Sequence, residues 1–119
     1  MDASRLDRLE RQVQKDLAEI FREIAQNQFR GIVFTVTRVR ISPDLSIGRV
    51  NISLFPVKDK ALVLDWIKEH GSLIKDRLVR KMKGSLRKVP DFYFYLDESV
   101  DAEAEIDRIL KEGGDSPIK

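Results

Sequence analysis

Seven cations and one acid stand between Lys75 and Lys88: Lys75, Arg77, Arg80, Lys81, Lys83, Arg87 and Lys88, against Asp76. A guanidinium can fork two hydrogen bonds to a phosphate, whereas an ammonium acts as a point charge. The chemistry on offer is therefore capture of a polyanion, with an affinity that falls steeply with salt. Cationic density of this kind is the electrostatic footprint of nucleic-acid binders. The competing reading is an ordinary cationic helix end, stabilised by the helix dipole.

Other chemistry is sparse. His70 is the only histidine and there is no cysteine. That excludes disulfides, thiolate metal sites and a histidine-based ligand cluster, and no metal or cofactor is expected. A lone histidine beside a helix break reads as a cap or a surface residue. Asp97, Glu98 and Asp101 could meet Mg²⁺, but such sites lean on substrate phosphates, and a solvated acidic loop is the preferred reading. No phosphate loop, dinucleotide fingerprint or nucleophile motif is present. Tyr93 and Tyr95 could stack on bases. Aromatics are ordinary strand formers, so a structural role is preferred for both. Trp66, at helical spacing with Leu62 and Val63, reads as core.

The elements that must position the cations follow from periodicity. Leu6, Leu9, Val13, Leu17, Ile20, Phe21 and Ile24 form one stripe of a long helix, which starts at a Ser4 cap and ends near Asn27. Arg8, Arg11, Lys15 and Arg22 fall opposite and read as a solvated face. Ile32–Ile41 is rich in β-branched residues and reads as a strand. Its inward residues switch parity, from Phe34 and Val36 to Val39 and Ile41, which a bulge or burial on both faces would explain. After a Ser42-Pro43-Asp44-Leu45 turn, Ser46–Phe55 pairs back as a hairpin, with Val50, Ile52 and Leu54 inward and Arg49, Asn51 and Ser53 outward. Asp59 caps a helix running to Glu69. Gly71 breaks it, Ser72 can cap the next, and Ile74, Leu78 and Met82 form that helix's buried stripe. Arg77, Arg80 and Lys81 lie together on its outer side, and Gly84 ends it. Pro90 opens the last strand, Asp91–Leu96. Asp101–Lys111 reads as a short final helix.

The whole is one α+β domain over residues 1–112, in the order α-β-β-α-kink-α-β, with helices on one face of a three-stranded sheet. Residues 113–119 read as a flexible tail. The net charge is only +2, yet the charges are segregated: seven acids and two bases lie between Asp97 and Glu112. No apolar run is long enough to span a bilayer, and the charged N-terminus has no secretory core. A cytoplasmic location is expected.

This order matches the type II KH topology, and several segments resemble the ribosome-binding factor A family of bacterial small-subunit assembly factors. They are VTRVRISPDLS (Val36 to Ser46), HGSLIKDRLVRKMKGSLRKVPDFYF (His70 to Phe94), LDES (Leu96 to Ser99) and EIDRIL (Glu105 to Leu110). Most KH domains clamp nucleic acid with a Gly-x-x-Gly loop, which is missing here. The family replaces it with an interhelical kink, usually Ala-x-Gly. The matching residues are Glu69, His70 and Gly71, so a carboxylate stands at the alanine position, where it must turn aside or pair with Lys68. Nothing in the sequence demands a dimer, and a monomer is expected; the resemblance implies a non-enzymatic, RNA-binding factor. It would bind free immature 30S subunits and assist late maturation and 5′-end processing of 16S rRNA, with no membrane or small-molecule partner. A reading from another class is a protein-interaction module that docks a protein through the acidic C-terminal segment or the hairpin.

Overall fold

A computed structural model of the chain describes residues 2–84, 86 and 88–97. The expected final helix and tail, beyond residue 97, lie outside the described residues, as does Arg87. The elements are α1 (Asp2–Gln28), β1 (Val33–Ile41), β2 (Ile47–Phe55), α2 (Lys60–Glu69), α3 (Gly71–Lys81) and β3 (Asp91–Leu96). This is the α+β, type II KH-like arrangement. Helix α1 begins at Asp2, so Ser4 lies within it and is not its cap.

The sheet runs β1-β2-β3. β1 and β2 form the antiparallel hairpin, and β3 lies parallel to β2 on its far side. A parallel neighbour needs a long crossover, which α2 and α3 supply. All three helices cover one face. Val13, Leu17, Ile20, Phe21 and Ile24 of α1 are buried with Val63 and Ile67 of α2, Ile74 and Leu78 of α3, and Val50, Ile52 and Leu54 of β2. Five rings run through this layer: Trp66 meets Phe29 edge-on, Phe29 tilts onto Phe34, Phe34 stacks on Phe21, and Phe21 meets Phe94 edge-on. Trp66 is thus at the margin of the core, half-buried.

The parity switch in β1 is a β-bulge. Pairing with β2 shifts between Val36 and Arg38, leaving Thr37 as the extra residue. Its Oγ1 donates to the Asn51 carbonyl at 3.2 Å and to Asp97 Oδ2 at 2.7 Å. Phe34, Val36, Val39 and Ile41 are all buried as a result. The edge of β1 is guarded from α1: Gln14 Nε2 donates to the Val36 carbonyl at 2.8 Å, and Glu10 Oε2 accepts from the Ile41 amide at 2.8 Å. Side chains that occupy free strand groups blunt an edge against pairing with other chains.

Between β1 and β2, Asp44 Oδ1 accepts from the hydroxyls of Ser42 and Ser46, each at 2.8 Å, and from the Ser46 amide at 3.1 Å. These bonds, the Ser42 hydroxyl's first, hold its carboxyl at about 2. The turn closes with Leu45 in the left-handed region at φ 62°. The Asp91 amide donates to the Ser46 carbonyl at 3.0 Å, and the Lys88 ammonium also favours ionised Asp44. The Ser-Pro-Asp-Leu turn and residues Lys88 and Asp91, far apart in sequence, therefore meet at one end of the sheet.

Candidate nucleic-acid interface

Helices α2 and α3 join at His70, which ends one and begins the next with φ −102° and ψ 19°. Its amide donates to the carbonyls of Trp66 and Ile67, at 3.1 and 3.2 Å. Its Nδ1 lies 2.8 Å from the Trp66 carbonyl and its ring stacks on the indole, centroids 3.9 Å apart. A carbonyl only accepts, so Nδ1 carries the proton. His70 therefore caps α2 with both backbone and side chain. Ser72, expected to cap α3, lies inside its first turn, and α3 has no side-chain cap. Glu69 is exposed and makes no ion pair with Lys68. Gly71 has open space where a Cβ would stand, so the backbone at the start of α3 is bare on its outer side.

The cations of α3 and of the residues that follow it divide into two groups. Arg77 Nη2 bonds Glu23 Oε1 at 3.0 Å, and Lys81 Nζ bonds Glu19 Oε1 at 2.7 Å. Both partners are on α1. The four-residue steps match on both helices and run in opposite senses, so α1 and α3 lie side by side and antiparallel. The Lys81 hydrogen bond draws the Glu19 carboxyl below its ordinary range and raises the Lys81 ammonium. On the other flank, Lys75 Nζ bonds Asp91 Oδ1 at 3.2 Å. Arg80, Lys83 and Lys88 are exposed and have no carboxylate partner among the described residues. The sequence put all seven cations forward together. Three are bonded to carboxylates, Arg80 and Lys83 stand clear of any, Lys88 lies near enough to Asp44 to favour its charge, and Arg87 lies outside the described residues.

The face of the sheet away from the helices carries charge that the sequence reading did not count. Arg38 pairs with Asn51, and Arg40 with Arg49, across β1 and β2. Arg49 then pairs with Tyr93, and Asn51 with Tyr95, across β2 and β3. Arg38, Arg40 and Arg49 are exposed, and both tyrosines are about half exposed. Ser53, expected outward, is buried; it is a short side chain on the middle strand. The available signal was the alternation of basic and apolar residues in Arg38-Val39-Arg40-Ile41 and Arg49-Val50, which is less conspicuous than a contiguous basic run.

The model of the family described as ribosome-binding factor A matches residues 5–110. The chain is 36% identical to ribosome-binding factor A of Flavobacterium psychrophilum over 120 residues, covering 100% of this chain and 92% of that protein. It is 33% identical to that of Brevibacillus brevis over 114 residues, covering 94% and 91%. The fold resembles the crystal structure of ribosome-binding factor A from Thermus thermophilus, with a TM-score of 0.62 and 24% identity over 76% of this chain and 94% of that one. A second similar structure, also with a TM-score of 0.62 and 24% identity over 76% of this chain and 93% of that one, is a homology model of the Thermus protein fitted into a cryo-EM map of its 30S complex. No helix among the described residues is long and apolar enough to cross a membrane.

Proposed function

The chain belongs to the ribosome-binding factor A family, and from that premise we propose that it is a non-catalytic assembly factor for the small ribosomal subunit. It binds free, immature 30S particles in the cytoplasm and assists late maturation and 5′-end processing of 16S rRNA. The carrying observation is the family match across residues 5–110, and Arg80, Lys83 and Lys88 add exposed cations that no described ion pair occupies. Those three make the principal phosphate contacts. Lys75, Arg77 and Lys81 contribute once RNA competes for their carboxylate partners, and Arg87 extends the same segment. Glu69, His70 and Gly71 form the approach to the backbone. The first amides of α3 are unbonded there, as at any helix start, and the bare glycine admits a phosphate closely.

Co-sedimentation with small subunits from an assembly-impaired strain tests the reading. The full chain should travel with immature particles at low salt and leave mature ones largely unoccupied. Arg80→Glu with Lys83→Glu should release it at lower salt and flatten the salt dependence by about one unit per lost contact. Failure to travel with immature particles or their rRNA would overturn the proposal. Retention of binding in the double variant would move the contacts off α3.

A further inference from the structure

We propose that the open face of the sheet is a second RNA site, specific for a single strand, in which Tyr93 and Tyr95 stack on bases and Arg38, Arg40 and Arg49 hold the backbone. The inference goes beyond the helical surface assigned above and stands on the sheet's own geometry.

Tyr93 and Tyr95 are two residues apart on one strand, so their rings rise from the same face about 6.6 Å from each other. They are 50% and 46% exposed, on the face of the sheet that the helices leave uncovered. The arginines flank them in register. Arg40, Arg49 and Tyr93 make one row across the three strands, and Arg38, Asn51 and Tyr95 make the next. With adjacent strands about 4.8 Å apart, each row spans about 10 Å. None of the three guanidiniums has an ion-pair or hydrogen-bond partner among the described residues. The acids on this face stand at its ends: Asp91 is bonded to Lys75, and Asp97 accepts from Thr37. The middle of the platform is cationic and aromatic.

The bulge at Thr37 puts the arginines there. Before it, Val33 and Thr35 face outward; after it, Arg38 and Arg40 do, while Val39 and Ile41 turn into the core. An unbroken alternation from Phe34 would have sent both arginines under the helices.

A single strand is the occupant that fits. Aromatic rings reach base faces only where bases are unstacked, and stacking platforms with flanking cations are how single strands are bound without a sequence code. A duplex offers phosphates to the arginines but hides its base faces from the tyrosines. Between its terminal acids this face carries charge of one sign, from Arg38 and Arg40 on β1 and Arg49 on β2, which suits the phosphates of a strand laid across it.

The test is anisotropy of the full chain with a labelled oligouridylate and, separately, a duplex RNA of equal length at low salt. Wild type should bind the oligouridylate. Tyr93→Ala with Tyr95→Ala should weaken it by roughly tenfold per tyrosine, with duplex binding changed less than twofold and an unaltered circular dichroism spectrum. Tyr93→Phe with Tyr95→Phe should restore it, because stacking survives loss of the hydroxyl. Arg38→Gln with Arg49→Gln, at exposed positions, should lower the salt slope by about one per arginine. The inference is overturned if wild type does not bind the oligouridylate, or if the alanine pair binds it within twofold of wild type. It is equally overturned if single strand and duplex weaken together, or if the phenylalanine pair is as weak as the alanine pair. A face serving a protein partner would leave oligouridylate binding indifferent to every change. Co-sedimentation with immature subunits that persists through such a failure leaves the helical surface standing and removes only this second site.

Discussion

Helix α3 and the open sheet face each present basic side chains, and they differ in how much of that charge is available. On α3 the cations are contiguous in sequence, but Arg77 and Lys81 bond to α1 and Lys75 bonds to β3. On the sheet, Arg38, Arg40 and Arg49 are scattered in sequence, gathered by strand pairing, and unopposed among the described residues. Density along a chain measures how many charges are nearby. It does not measure how many an incoming phosphate can use, because an antiparallel helix neighbour with carboxylates at matching four-residue steps can take up every second one.

The largest way to break this comparison is to exchange Arg38 and Val39. Arg38→Val with Val39→Arg keeps the composition but puts a guanidinium at a position that is 4% exposed beneath the helices. A buried charge without a partner costs about 3–5 kcal/mol, a large part of the stability of a domain this size. Urea denaturation should show a loss of that order. Deletion of Thr37 should be mild by comparison, because Arg38 then follows Val36 in regular alternation and keeps its facing. An exchanged variant as stable as its parent would mean that strand register does not set the facing of the arginines.

The same residues show what the sequence could and could not reveal. Element order, the hairpin, the Asp59 cap (Leu62 amide to Asp59 Oδ1, 3.1 Å) and nearly every inward residue were legible, because each rests on local period or local capping. The irregularity in β1 was legible as a parity switch, though its cause was not: a bulge and two-sided burial leave the same mark on one strand, and only the partner's register separates them. The division of the α3 cations was illegible for a related reason. Glu19 and Glu23 lie more than fifty residues before their partners, and nothing local announces that α1 runs beside α3. Strand order, which brings Tyr93 beside Arg49, is likewise a property of the assembled sheet.

A smaller effect is expected where the sheet is held to β3. Gly48 lies in register with Phe92, whose ring would stand 2.6 Å from an added Cβ. Ala at this position must push the ring aside or spread the strands. Overpacking of this kind typically costs about 1–3 kcal/mol. Because the displaced strand carries both tyrosines, Gly48→Ala should also weaken oligouridylate binding while leaving the α3 surface unaffected. Thermal melting and anisotropy on the same variant check the two effects together. Lost stability with unchanged oligouridylate affinity would uncouple the tyrosines from strand placement.

The smallest effect sharpens the contrast from the other side. If the α3 cations are weakened as RNA ligands by their partners on α1, removing the partners should strengthen binding. Glu19→Gln and Glu23→Gln keep side-chain size and free Lys81 and Arg77. Each should raise affinity for immature small subunits by roughly twofold at low salt and steepen the salt dependence by about one unit. The ion pairs are solvent-exposed, so their removal should barely change the melting temperature. The Lys81 hydrogen bond holds the Glu19 carboxyl below its ordinary range. The group therefore stays ionised down through that range, and the gain from Glu19→Gln should be flat with pH until acid begins to protonate the wild-type carboxylate. Below that point, loss of the pair frees Lys81 in the parent as well, and the two proteins should converge. Equal affinities throughout would show that RNA displaces the carboxylates at no cost, and that α3 and the open sheet offer their charge on the same terms.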